Sequence, residues 1–219
     1  MSITFNLNKI KSELPKEVTL VAVSKTKPNE AILEAYNAGH RVFGENKVQE
    51  LAQKYDDLPK DIEWHLIGHL QTNKVKYIAP FVSLIHTVDS FKLLKEINKQ
   101  ALKNNRVINC LLQVKIAEEE NKFGLSKTDA EALINNTEVA ELKNIKIVGL
   151  MGMSTNTLDE IQVSNEFSLL HIIYSEFRIQ NSEFRILSMG MSGDYKLALE
   201  QGSNMIRVGS TIFGERSYN

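Results

Sequence analysis

Short apolar runs rich in Val, Ile and Leu alternate along the chain with stretches whose apolar residues recur at helical spacing. Residues 18–24 (VTLVAVS) predict a strand, being short, rich in Val and closed by polar residues. From Pro28 a helix follows, with Ala31, Ile32, Ala35 and Tyr36 on one face and Gly39 where a helix would stop. The alternation continues as strand 41–43 and helix 48–55, strand 63–67 and helix 73–78, strand 83–88 and helix 91–104. Strand 107–116 (VINCLLQVKI) precedes a helix at 129–142, and strand 145–151 precedes a helix at 160–177. Strands at 184–188 and 204–208 bracket a helix at 194–201. One pentamer, SEFRI, occurs twice, at 175–179 on a predicted helix end and at 182–186 in a predicted strand. Identical residues in two states require tertiary context to override propensity.

About eight strand–helix units behind a short N-terminal helix predict a parallel sheet. At 219 residues the chain suits an α/β fold of the single (β/α)8 TIM-barrel type, with a doubly wound open sheet as the alternative. Only four prolines and 11 glycines are present, and no linker or composition shift marks a boundary, so residues 1–219 are expected to form one domain.

Composition narrows the picture. Hydrophobic residues at 42% and charged residues at 24% are those of an ordinary globular protein. Lys and Arg number 26 against 27 Asp and Glu, a net charge of −1 that disfavours a broad nucleic-acid footprint. The single cysteine, Cys110, excludes an intramolecular disulfide, fits a reducing compartment, and lies in an apolar run that predicts a buried, inert thiol. There is no leader-like segment at 1–14 and no apolar run of ~18 residues, so a cytoplasmic protein without a membrane span is expected.

In a TIM barrel, chemistry gathers where strands end. Lys25 follows the first strand, Asn46 the second, and His65 lies on the third; His86 ends the fourth. The sixth gives Met151 and Ser154, the seventh Ser188, Ser192 and Gly193, and the eighth Arg207, Gly209 and Ser210. Small turns with hydroxyl side chains after the last two strands are where this barrel holds phosphate, although N-capped tight turns look the same in sequence. Lys25, ending an apolar strand, is a candidate Schiff-base amine, and Lys27 reads as a solvated rim lysine. His65 and His69 are spaced HxxxH, but on a strand residues four apart lie ~13 Å apart, so no metal site is expected. Arg207, flanked by apolar residues, needs a carboxylate or a ligand atom as partner.

Six stretches taken together resemble the pyridoxal phosphate homeostasis protein family, relatives of the alanine racemase N-terminal barrel. They are VAVSKTKP (21–28), FGENKVQE (43–50), WHLIGHLQTNK (64–74), GLMGM (149–153), LSMGMSGDYKLALEQGS (187–203) and MIRVGSTIFGER (205–216). The EEENKFG segment (118–124) keeps the family's Lys122 and Gly124, whereas the tandem SEFRI region does not align. The resemblance implies pyridoxal 5'-phosphate (PLP) as cofactor, held as a Schiff base on Lys25. It implies that Asn46, His65, Met151, Ser188, Ser192, Arg207, Gly209 and Ser210 bind the cofactor. Of these, Ser192, Gly209 and Ser210 match the phosphate positions, with Ser210 standing where threonine is commoner, and Arg207 faces the pyridine nitrogen.

A permanent cation at that nitrogen disfavours its protonation and weakens the ring as an electron sink. Racemisation also needs a second acid/base, which alanine racemases take from a C-terminal β domain that a chain of this length is too short to carry. The implied role is therefore PLP buffering and delivery inside the cell with little or no turnover of amino acids. The alternatives are a PLP-dependent racemase or lyase, and a cofactor-free phosphosugar isomerase or aldolase using Lys25. Implied partners are PLP and PLP-dependent apoenzymes, with no nucleic acid and no membrane; near-neutral charge fits a monomer or a weak homodimer.

Overall fold

The computed structural model describes residues 2–119 and 123–215; Lys122 and Arg216 of the family-like stretches lie outside them. Eight strands close into a barrel in sequence order: β1 (Thr19–Val23), β2 (Val42–Glu45), β3 (Glu63–Leu66), β4 (Leu84–Val88), β5 (Ile108–Gln113), β6 (Ile145–Met151), β7 (Ile186–Met191) and β8 (Met205–Val208). Closure comes from parallel pairing of β1 with β8, in register from Thr19–Met205 to Ala22–Val208, which excludes the open doubly wound sheet.

Helices occupy the connections. α1 (Ile3–Glu13) precedes the barrel, followed by α2 (Asn29–Asn37), α3 (Val48–Asp57), α4 (Val75–Ile78, entered through a 3₁₀ turn) and α5 (Phe91–Lys103). Next come α6 (Lys127–Ile134), α7 (Thr137–Ala140), α8 (Glu160–Gln180), α9 (Tyr195–Glu200) and a short α10 (Ser210–Phe213) that the sequence pattern does not announce. Among the described residues no helix is long and apolar enough to cross a membrane.

Two apolar layers hold this arrangement. Between sheet and helices lies the main core, with Phe43, Trp64, Leu66, Ile85 and Phe167 fully buried. Inside the barrel a smaller group, Val21, Leu84, Leu111, Val148, Met151 and Met205, fills the lower interior. Cys110 is fully buried, and burial pushes its thiol well above the ordinary range, as an inert core residue requires. β6 and β7 approach so closely at Gly149 (φ +154°) that a Cβ there would lie 1.8 Å from the Ile186 carbonyl oxygen.

Two local expectations are corrected. The helix predicted at 129–142 is two helices, because Asn135 ends α6 and Asn136 caps α7 through Oδ1, which accepts from the Glu138 N–H at 2.9 Å. Consecutive asparagines bond nearby backbone more readily than they continue a helix. The first SEFRI copy is helical, in α8, but the second forms a turn before reaching β7. Asn181 Oδ1 accepts from the Glu183 N–H at 3.0 Å, and the two Phe side chains, Phe177 and Phe184, meet edge to face at 6.2 Å.

Candidate functional site

At the C-terminal mouth of the barrel is a cavity of about 370 Å³. The period of two along β1 explains its first wall: Val21 points into the closed interior, while Val23 and Lys25 line the cavity above it. Asn46, just past β2, and Ile67, just past β3, continue the lining. Met153 and Met191 add apolar surface, and Ser192, Gly193, Gly209 and Ser210 supply two small turns, the second directly beside Val23 because β8 pairs with β1. Six of the sequence-derived positions, Lys25, Asn46, Ser192, Arg207, Gly209 and Ser210, thus converge on one cavity.

The two turns are tied together: Ser192 Oγ accepts from the Gly209 N–H at 3.1 Å. Ser192 does not cap α9, since that position belongs to Asp194, whose carboxylate accepts from Ser154 Oγ at 2.8 Å and from the Met191 N–H at 2.5 Å. Beyond Gly209 the chain enters α10 at Ser210, and the first N–H groups of a helix have no carbonyl one turn back. Such groups, beside serine hydroxyls and a buried guanidinium, suit an anionic oxygen cluster.

Lys27 departs from its expected solvated state. Its ammonium donates to the carbonyls of Phe213, Gly214 and Glu215 at 3.0, 3.0 and 2.9 Å and so pins the chain after α10 beside the cavity.

Arg207 is buried in β8, yet reaches the cavity. Its two described hydrogen bonds go to neutral acceptors: Nη1 to Ser188 Oγ at 2.7 Å and Nη2 to the Gly152 carbonyl at 3.0 Å. Burial pulls its pKa down to about 10, with the Asp194 charge opposing, so it stays cationic at neutral pH.

Ser188 passes this arrangement inward. A guanidinium only donates, so Ser188 Oγ accepts from Arg207, and its own proton has His86 Nδ1 within reach at 3.1 Å. His86 then carries hydrogen on Nε2 and donates to His65 Nδ1, again at 3.1 Å. Both imidazoles are held neutral: burial pushes His65 down to about 3 and His86 well below its ordinary value, helped there by His65 and Arg207.

Consequently His65, Met151 and Ser188 do not line the cavity. They lie in the interior beneath it, and His65 and Ser188 reach it through Arg207. His86, read as a rim residue, is fully buried there as well. The HxxxH pair is split: His65 is inside β3, whereas His69 is exposed, stacked on Phe123 at 4.7 Å and 3.5 Å from Asp89. Among the described residues no three His, Cys, Asp or Glu side chains are grouped to hold a metal ion.

Sequence reasoning passed over the layer behind Lys25. Lys54 occupies the buried stripe of α3 with Val48 and Leu51, and the strand residue Glu45 is fully buried opposite it. A lysine three residues after Leu51 on an amphipathic helix, facing an acidic strand end, is the signal that could have revealed the pair.

Comparison with known proteins places these features in context. The family model for the alanine racemase N-terminal domain matches residues 1–217. A pyridoxal phosphate homeostasis protein of Aquifex aeolicus is 43% identical over 201 residues, covering 91% of this chain and 87% of that one. Its Escherichia coli K12 counterpart is 35% identical over 209 residues, covering 94% and 88%. Among solved structures, PipY of Synechococcus elongatus without PLP superimposes with a TM-score of 0.90 at 38% identity, covering 97% of this chain and all of that one. PipY with PLP bound gives 0.87 at 36%. An alanine racemase of Clostridium difficile, 15% identical with a TM-score of 0.79, shares the fold.

Proposed function

This chain belongs to the pyridoxal phosphate homeostasis protein family, and from that premise we propose that it holds PLP at the mouth of a single barrel domain, covalently on Lys25, and buffers or delivers it in the cytoplasm. The observation that carries this reading is the convergence of Lys25, Arg207 and the tied turns at Ser192 and Gly209–Ser210 on one cavity. The residues fit the group. Lys25 would supply an amine, the turns and Ser210 would hold a phosphate, Arg207 would serve the ring nitrogen, and Asn46 would offer a polar edge. Val23, Ile67, Met153 and Met191 give apolar surface for a planar ring.

When bound, PLP would supply an aldehyde reactive toward amines and an electron-withdrawing ring whose pull increases when its nitrogen is protonated. Arg207, cationic and fixed by Ser188 and the Gly152 carbonyl, opposes protonation of that ring and so limits turnover of amino acids. A site of this kind keeps a reactive aldehyde away from other amines, which gives a carrier its physical purpose; PLP-dependent apoenzymes are the recipients this role implies.

The test is reconstitution of purified protein with PLP, recording the visible spectrum, reducing with borohydride and mapping the modified peptide. Label on Lys25, lost in Lys25→Ala, is the expected result. Label elsewhere, or an unchanged spectrum for Lys25→Ala, overturns the reading. Rapid Cα deuterium exchange of L-alanine by the unaltered holoprotein would turn the assignment toward a racemase.

A further inference from the structure

Behind the turn that carries Lys25 lies an ionic cluster of Glu45, Glu50 and Lys54, set apart from the residues that line the cavity. Lys54 Nζ donates to the Ser24 carbonyl at 2.8 Å, to Glu45 Oε1 at 2.7 Å and to Glu50 Oε1 at 2.7 Å, using all three ammonium protons. Ser24 Oγ donates to the same Glu45 oxygen at 2.6 Å, and Glu50 Oε1 accepts from the Thr26 N–H at 2.6 Å. Both neighbours of Lys25 are therefore fastened to one ammonium: Ser24 by its carbonyl and, through Glu45, its hydroxyl; Thr26 by its N–H, through Glu50.

The arrangement is costly in two ways. Glu45 Oε2 is buried without a hydrogen-bond partner, and burial raises the Glu45 pKa although Lys54 opposes the shift. Buried ion pairs seldom stabilise more than apolar residues of the same volume. Thr26 sits at φ +64°, a left-handed conformation that β-branched residues avoid and that persists only where surroundings enforce it. Strain at the residue after Lys25, held by a hydrogen bond to this cluster, is what fixing the direction of one side chain requires.

We propose that Glu50, held by Lys54, is a positioning residue for Lys25: it fixes Thr26 through its N–H while Lys54 holds the Ser24 carbonyl, so that the Lys25 amine is presented to the cavity in one orientation. This rests on the reading of Lys25 as the PLP-bearing amine.

Glu50 is the residue to change, because it is partly exposed and its loss does not leave Glu45 without Lys54. In the apoprotein, Glu50→Ala speeds hydrogen exchange of the Thr26 amide, a readout independent of any cofactor. Upon addition of PLP, covalent attachment, trapped with borohydride at successive times, slows by about tenfold or more, since small misplacements of reacting groups carry penalties of this size. Glu50→Gln keeps an acceptor for the Thr26 N–H and attaches at close to the unaltered rate. Thr26→Gly added to Glu50→Ala restores part of the rate, because glycine holds positive φ without strain. Attachment by folded Glu50→Ala at the unaltered rate, or a Glu50→Gln defect as deep as that of Glu50→Ala, overturns the proposal. Lys25→Ala run in parallel separates the two readings: if it still becomes covalently labelled at the unaltered level, the assignment of Lys25 has failed and this proposal falls with it.

Discussion

Arg207 and Ser188 meet inside the barrel at 2.7 Å, with the arginine donating to the serine oxygen and the serine hydroxyl hydrogen-bonded in turn to His86 Nδ1. The cation at the cavity is thus oriented from below by a neutral chain rather than by a carboxylate. Ser188→Ala leaves Arg207 Nη1 and His86 Nδ1 short of a partner in a closed interior, which is expected to cost about 1–3 kcal/mol of stability. It also loosens the guanidinium that reaches the cavity. Urea denaturation reads the first effect and equilibrium PLP titration the second; an unchanged midpoint together with unchanged affinity would refute the chain's role.

Replacing the cation itself changes the electronics. Arg207→Glu puts an anion where a positive group stood, which raises the proton affinity of a pyridine nitrogen placed there and strengthens the ring's withdrawal of electrons. Deuterium uptake at Cα of L-alanine in heavy water is expected to rise above that of the unaltered holoprotein. A flat rate with the cofactor still bound would mean that Arg207 does not govern the ring. Stability should fall, since a buried carboxylate would meet the Gly152 carbonyl that Arg207 now donates to.

Three buried histidines set the response to acid. His40 is pushed down to about 4, chiefly by burial with Lys11 and Arg41 adding; His65 goes to about 3, and His86 lies well below its ordinary value. Each folded pKa is depressed below the unfolded value of 6.5, so the unfolded chain takes up protons first. Their contribution is complete above pH 6.5 and is lost as pH falls, down to about 4 for His40 and about 3 for His65. Each group removes up to ~1.4 kcal/mol per pH unit within its window. Urea midpoints measured from neutrality downward should decline steeply, and His40→Gln should flatten the decline.

Gly68 offers a steric test of Asn46. A Cβ at position 68 would stand 2.3 Å from the Asn46 carbonyl oxygen, backbone that cannot swing away as a side chain would. Gly68→Ala is expected to destabilise by about 1–3 kcal/mol and to weaken PLP binding by shifting Asn46. Gly193→Ala, whose Cβ meets nothing within 4 Å, should leave the denaturation midpoint within about 0.5 kcal/mol of the unaltered protein.

The barrel was legible because each strand and helix announces itself locally. Residues 18–24 or 107–116 need no distant partner to read as strands, and eight such units in a row leave few topologies. Lys25, Arg207 and the turns at Ser192 and Gly209 were legible because strand ends in a parallel barrel share one rim. The helix at 129–142 differs from expectation because an apolar period does not record two capping asparagines; the first SEFRI copy is helical as expected, and only the second departs, because a pentamer does not carry its own environment.

What sequence alone determined is the order of elements, the fold they close into and that Lys25, Asn46, Ser192, Arg207, Gly209 and Ser210 share its mouth. These follow from period, strand direction and chain order. Only tertiary structure decided that His65, His86 and Ser188 form a neutral chain below Arg207, that Lys27 anchors the chain after α10, and that Lys54 grips Ser24 directly and Thr26 through Glu50. Those contacts join residues far apart in the chain, and their directions depend on burial, on which atoms can only donate, and on angstrom-scale register between packed elements. No local pattern of hydrophobic and polar positions encodes such quantities.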